Sequence, residues 1–402
     1  MKQSLLTALR LLGLLLVLLL VYTAAMLGAY SIPDEWVREN VTSAAQIVAE
    51  ESNMTGGYAT YFWHNGFGIT DNVTDKVIYE GLLRGERSVT DAAMRTDYAR
   101  YWHGYAALLR PMMTVLSIIN IRYLNMMAMF GLFLLCFMDC KEKLGVWTAA
   151  AFAAGLLMSF ILIAPFCQQY CPVYLLALAG CCAVLRFWKL VKNHLPALFL
   201  TIGSLVCFFD FLTFPVLALG YPLTLCLMLR AKEGVHAKKL WMELIWLSAV
   251  WMGGYALTWM GKAMIGSLLT GQNVIGDVIS QAAFRTTGDY GTDSGPKKIT
   301  AAIAVGKNLE TFFMASNAAF FALMLTVYGV RMMRCGRKRI RLQTALPVAA
   351  VALYPFVWYC VLQNHVRMHF WMTNKMLAVT VFAALAALAL AGGLKQEVKS
   401  HE

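Results

Sequence analysis

Leu11-Leu-Gly-Leu-Leu-Leu-Val-Leu-Leu-Leu-Val-Tyr-Thr-Ala-Ala-Met-Leu27 carries no charged side chain. Coiled as a helix it spans about 25 Å, close to the hydrocarbon thickness of about 30 Å. Lys2 and Arg10 precede it. A cleaved signal peptide has an apolar region of only about 7–15 residues, so this longer run reads as an uncleaved anchor with its N-terminus inside. Apolar runs recur at approximately 121–139, 145–164, 172–187, 196–213, 215–229, 240–260, 311–330, 344–361 and 376–393. The expected fold is all-α: a polytopic membrane protein of about ten transmembrane helices, forming one integral membrane domain over residues 1–402.

Composition agrees with that reading. Of 402 residues, 59% are hydrophobic and 14% charged, against roughly 25% charged in a soluble domain. The net charge of +12 would point to nucleic acid in a soluble chain. Here it follows from the excess of Lys and Arg on cytoplasmic loops, and no nucleic acid is implied. The predicted inner connections are Cys140–Lys143, Arg186–His194, Arg230–Lys239, Arg331–Arg341 and the tail from Lys395; with Lys2 and Arg10 they hold nineteen of the 34 basic residues. Both termini are therefore expected in the cytoplasm, with the protein in a bacterial cytoplasmic (inner) membrane. The ten cysteines include no CxxC pair, which argues against a zinc site; Cys167 and Cys171 lie close enough in sequence to be considered for a disulfide.

The polar investment lies in the segments between spans. The largest is an insert at 29–120, expected outside the cell; a second outer loop covers 262–310, with turn composition and the look of a lid. Inside the large insert, Trp36, Val37, Val41, Ala44, Ile47 and Val48 can share one helical face. That suits either an amphipathic helix on the membrane surface or one packed on the insert's own core. The spans themselves show no confident ionisable residue in their middle thirds, which weakens an ion-coupled transporter. They also lack an internal repeat.

Two kinds of polar group gather outside. The acids are Asp34, Glu35, Asp71 and Asp75. The cations and imidazoles are His103, Arg110 and Arg122, then His365, Arg367, His369 and Lys375 further along. A carboxylate beside cations at the lipid boundary suits transfer from a lipid-linked phosphate. The carboxylate would take a proton from an attacking hydroxyl, and the cations would stabilise charge on the departing phosphate. Asp71 and Asp75 are four apart, the spacing of one helical face, and are candidates for base or for ligands of a divalent metal such as Mg or Mn; Asp34 is a further candidate base. His103, Arg110, Arg122, His365, Arg367 and His369 are candidates for holding the donor phosphate. Each has a plainer reading, from helix capping to snorkelling. His365 and His369 have the spacing of a helical metal pair but lack the HExxH glutamate, with Val366 in its place.

One large outer loop after the first span, with acids inside it and many further spans behind, resembles the GT-C superfamily of membrane glycosyltransferases. The strings Asp71-Asn-Val-Thr-Asp75, Tyr101-Trp-His-Gly-Tyr105 with Arg110-Pro111, Ile121-Arg-Tyr-Leu-Asn125 and Asp210-Phe-Leu-Thr-Phe-Pro215 also resemble a group of bacterial multi-span proteins associated with cell-surface polysaccharide clusters. The GT-C resemblance implies a catalytic carboxylate in the first outer loop and a polyprenyl-phosphate-linked sugar as donor. The acceptor is then a cell-envelope glycan or a lipid-linked molecule. A carboxylate soon after the first span corresponds here to Asp34 or Glu35, whereas the clearer acidic motif is Asp71/Asp75. Two other expectations stand beside the enzyme. One is a flippase or transporter with a polar path lined by Glu243, Lys262 and Asp210; the other is a non-enzymatic envelope-assembly subunit.

Overall fold

The computed structural model describes residues 2–54, 70–286, 289–292, 295–298, 300–334 and 342–393. Part of the basic run, 335–341, and the tail from Lys395 lie outside the described residues, as does 55–69 of the large insert. The chain begins with α1 (Lys2–Ser31). The insert follows as a 3-10 turn at Asp34–Trp36, then α2 (Arg38–Met54), α3 (Asn72–Glu80), α4 (Val89–Met94) and α5 (Ala106–Met112). Next come α6 (Ile118–Leu144), α7 (Val146–Met158), α8 (Cys171–Arg186), the single turn α9 (Trp188–Val191), α10 (Leu195–Phe209), α11 (Val216–Lys232) and α12 (Ala237–Thr270). A second insert holds α13 (Val274–Thr286), a hairpin of β1 (Asp289–Thr292) and β2 (Gly295–Lys298), and α14 (Ala301–Phe312). The chain then runs through α15 (Ala315–Arg334), α16 (Leu342–Ala350), α17 (Tyr354–Val361), α18 (Gln363–Met368), α19 (Phe370–Thr373) and α20 (Leu377–Ala391).

Five segments are long and apolar enough to cross a membrane: Leu5–Ser31, Ile118–Leu144, Ala237–Thr270, Leu342–Val361 and Phe370–Ala391. α14 and α15 meet at 87° and would add a sixth if they form one broken span. Helices stand at all ten positions expected from the sequence. Four of them are short, however, with α7, α8, α10 and α11 at 13, 16, 15 and 17 residues. A 13-residue helix covers about 20 Å, less than the hydrocarbon core. Full-length spans therefore number five or six among the described residues.

The second insert departs from the expected turn-rich loop. α12 runs on to Thr270, and two further helices occupy most of the rest. Within the first insert, α2 packs on the insert's own core rather than standing free: Val37, Val41, Ala44 and Val48 are buried against α3 and the start of α6. Trp36, expected on the same face, is exposed.

The centre of the bundle is α11 and α20. Both are apolar around their whole circumference and almost wholly buried, as a helix enclosed by other helices must be. α10 and α12 cross at very close range. A Cβ at Gly203 would sit 2.2 Å from the Trp251 carbonyl oxygen, and one at Gly254 would sit 2.3 Å from that of Leu200. Small residues on both helices let the backbones touch, which drives helix association where lipid is as apolar as leucine. Polar contacts reinforce the crossing: Ser204 Oγ lies 3.0 Å from Tyr22 Oη and 2.7 Å from Thr258 Oγ1, joining α1, α10 and α12. Gly254→Val should force these helices apart and lower the Tm of the detergent-solubilised protein by roughly 5–10 °C. Gly13→Ala, on a glycine with nothing within 4 Å of its would-be Cβ, is the control. Thermal unfolding of both variants makes the comparison.

Candidate functional site

Asp34 and Arg110 meet, at the root of the large insert. Asp34 accepts hydrogen bonds from the Arg84 and Gly85 amides at 3.1 and 2.9 Å and pairs with Arg110 at 3.1 Å. Burial works against its charge, but those amides and Arg110 together hold its carboxyl below the ordinary range. Arg110 is fully buried. It also donates to the carbonyls of Ala29, Ile32 and Leu82, and stacks 4.7 Å over the Tyr30 ring. A guanidinium so occupied clamps the end of α1 to the insert and has no face left for a phosphate.

Asp71 and Asp75 diverge. Asp71 is the N-cap of α3, accepting from the Thr74 amide at 3.0 Å, and its other oxygen accepts from Trp371 Nε1 at 3.2 Å. Asp75, in the first turn of α3, points at the turn before α8 and accepts from the Gln168 and Gln169 amides at 2.8 and 2.9 Å. Both are buried. Burial raises the Asp71 carboxyl against the pull of its donors. Asp75 is pushed up to about 7, mainly by burial, with Asp71 adding repulsion while the two amides and Arg122 oppose it. These oxygens face N–H donors, which does not fit a divalent ion. No group of three or more His, Cys, Asp or Glu side chains among the described residues could hold a metal. Cys167 is a free thiol 3.8 Å from Asp75, and Cys171 is free too, so the considered bridge is not formed.

Arg122 forms a two-pronged pair with Glu51 at 2.6 and 2.9 Å, and Glu51 also accepts from Asn72 at 3.0 Å. His103 stands at φ +55° inside a cage of Tyr98, Tyr101, Tyr105 and Phe211. Its Nε2 lies 2.8 Å from the Tyr98 carbonyl, which can only accept, so Nε2 carries the proton and Nδ1 accepts from Tyr105. Burial, with Arg95, Lys262 and Arg100 nearby, keeps the ring neutral. Both nitrogens are spent on the insert's interior.

The C-terminal group is different. His365 Nε2 donates to the Leu212 carbonyl at 2.7 Å, leaving Nδ1 to accept from Arg285. Burial and Arg285 hold His365 neutral and push His369 down to about 4. The His369 ring lies 4.8 Å from that of His365 and 5.2 Å from that of Trp371, the residue that reaches Asp71. Arg367 lies 5.9 Å from the Phe370 ring. Asn364 donates to the Phe284 carbonyl at 2.9 Å. Two residues of α18 thus anchor the end of α13.

Arg285 lines a large apolar space, a cavity of about 570 Å³. It runs beside α12 from Ile245 to Trp259, about 21 Å along the helix, and is closed on the other side by Tyr354, Val357, Trp358 and Val361. Ile245, Met252, Val357 and Val361 on its rim are exposed. Arg285, Asp210 and Tyr101 line its wall. Trp251 and Trp358 line it too, and their buried indole N–H groups have no partner among the described residues. None of the nine residues singled out from the sequence lines this cavity. Asp210 accepts from the Thr213 amide and hydroxyl, closing the turn after α10, and it also faces the cavity. Arg285 went unnoticed. Its signal was present: it falls seven residues after Val278 and eleven after Val274, on the buried face of α13.

No family model, curated protein or solved structure matches this chain.

Two measurements test this geometry. Arg110→Met leaves Asp34 and three carbonyls, two of them buried, without their cation and should cost about 3–5 kcal/mol, read by denaturation of the solubilised protein. Arg110→Lys should recover little, because an ammonium cannot span that fork of acceptors. For Asp75, a raised carboxyl means the folded chain keeps a proton that the unfolded chain releases near pH 4. Its contribution is full below pH 4 and is lost as pH rises towards 7. Tm between pH 5 and pH 8 should therefore fall with a component that Asp75→Asn removes.

Proposed function

We propose that the protein is a GT-C-like membrane glycosyltransferase. It would move a sugar from a polyprenyl-phosphate-linked donor to a cell-envelope glycan or lipid-linked acceptor, at the outer face of a bacterial cytoplasmic membrane with ten spans and both termini inside. The observation that carries this reading is the apolar cavity of about 570 Å³ with an arginine on its wall. A long hydrocarbon chain satisfies such walls, entering between the exposed aliphatic side chains of the rim. Arg285 supplies a planar fork for phosphate oxygens and is held in place by neutral His365. The unpartnered indoles of Trp251 and Trp358 offer further donors to ligand oxygens.

In the proposed reaction the acceptor hydroxyl attacks the anomeric carbon and the bond from that carbon to the phosphate oxygen breaks. The polyprenyl phosphate departs with its charge on Arg285, and the hydroxyl proton passes to a carboxylate. Asp210, on the same cavity wall, is the best-placed base. Asp71 is the alternative, since Trp371 connects it to the His369 and His365 group beside Arg285. Asp34 and Asp75 are tied to backbone amides in the insert and before α8. The flippase reading needs a polar path, and this cavity is apolar. Glu243 instead pairs with Arg230 at 3.2 Å, and Lys262 donates to the Met94 carbonyl at 2.7 Å.

The test is sugar transfer by the purified chain in detergent, with radiolabelled polyprenyl-phosphate sugars and the host's own lipid extract as acceptor source. Arg285→Ala should cut transfer at least tenfold, about 1.4 kcal/mol of transition-state stabilisation. Loss in Asp210→Asn with retention in Asp71→Asn assigns the base to the cavity wall, and the converse assigns it to Asp71. Absence of transfer by wild type with every donor overturns the enzyme.

A further inference from the structure

A second cavity, of about 320 Å³, lies against the first insert where it meets the start of α13. Its walls are Asp97, Tyr98 and Arg100 on one side and Gln272, Asn273 and Asp277 on the other. Apart from Thr96 the remaining lining is Ala99 and Val274, so little hydrocarbon surface is offered.

Its charges are already paired. Arg100 pairs with Asp277 at 3.5 Å, and Asp97 takes Arg87 at 2.7 Å and Arg95 at 2.9 Å. A polyanion or a polycation would have to break these pairs to bind. Hydrogen-bonding capacity remains in excess. Arg100 Nε is buried without a partner, its guanidinium lies 4.2 Å over the Tyr98 ring, and Gln272 and Asn273 are exposed amides at the rim. Planar amides and carboxylates bind paired hydroxyls through two hydrogen bonds at once. The volume is at the lower end of ordinary small-ligand sites, about 300–1,000 Å³, room for a mono- or disaccharide.

Position gives this cleft its role. Both of its walls continue into the apolar cavity. The segment carrying Tyr98 and Arg100 goes on to Tyr101, and Trp259, on that cavity's wall, donates to the Arg100 carbonyl at 2.8 Å. α13 carries Asp277 at the cleft and Arg285 at the cavity, eight residues or about 12 Å apart along the helix. We infer that the cleft of Asp97, Tyr98, Arg100, Gln272, Asn273 and Asp277 binds a neutral saccharide and presents it to the charged end of the lipid cavity as the acceptor. The role as acceptor rests on the transferase reading; saccharide binding does not.

The experiment separates the two. The probe is the neutral di- to tetrasaccharide fraction released from the host's own envelope polysaccharide, with inorganic polyphosphate and a lysine-rich peptide as comparisons. Binding to the full solubilised chain is read by saturation-transfer NMR. The blocking variant is Gln272→Trp, which places a large ring at an exposed rim position and leaves the Arg100–Asp277 pair intact; Asp277→Asn is the second variant. Neutral saccharide binding that falls at least tenfold in Gln272→Trp, and persists in Arg285→Ala, is the expected result. No binding of the neutral fraction, binding unchanged in Gln272→Trp, or preferential binding of polyphosphate or peptide overturns the cleft. Saccharide binding in the cleft together with no sugar transfer would retain the saccharide site and remove the acceptor role. Transfer that proceeds normally in Gln272→Trp would retain the enzyme and place its acceptor elsewhere.

Discussion

A guanidinium removed from water has five N–H groups to satisfy, and at Arg110 the protein does this with Asp34 and three backbone carbonyls. Those carbonyls belong to the end of α1, the chain just after it and the stretch following α3, so one side chain joins parts of the insert that are distant in sequence. The arrangement is costly to build and more costly to break, because the Ala29 and Leu82 carbonyls are buried with it. The same constraint recurs through the insert. Arg95 closes on Asp97 and Tyr105, Arg122 on Glu51, and His103 on Tyr98 and Tyr105. Polar groups here are gathered first by their need for partners.

That need explains which parts of the molecule the sequence foretells. Long apolar runs announce helices because hydrocarbon admits no unpaired backbone. The face of Val37, Val41, Ala44 and Val48 is legible for the same reason, from periodicity alone. Residue type and spacing say nothing, however, about a partner far along the chain. Asp75 finds the amides of Gln168 and Gln169, and His365 finds Leu212, across separations of 93, 94 and 153 residues. Hence Asp71 and Asp75, four apart and expected side by side, turn to Trp371 of α19 and to the turn before α8. The cation lining the open cavity proved to be Arg285, legible only as an arginine on the buried face of a short helix.

Packing in the bundle is uneven, and the unevenness is informative. α20 is filled on every side, α11 everywhere but at Val216 and Leu219, and α10 touches α12 backbone to backbone through glycine. On its other flank the same α12 borders about 570 Å³ of unfilled apolar space beside α17. The row of Trp251, Tyr255 and Trp358, with ring centroids 5.5 and 6.2 Å apart, forms a stiff aromatic wall there. A rigid contact on one side of a helix keeps the space on its other side open, so the cavity is shaped by the glycines as much as by its own lining.

α20 is the most enclosed of the long apolar segments, and it is also made after every other helix described. While the ribosome is still at work, α7, α11 and α16 have no central partner to close around. The earlier helices must wait in the bilayer, held laterally by lipid and by glycine contacts such as that of α10 with α12, until the last span enters between them. Assembly therefore finishes at the centre of the bundle. A nascent chain stopped short of residue 377 would lack the centre of its bundle and present an unfilled core to the cell's membrane quality control.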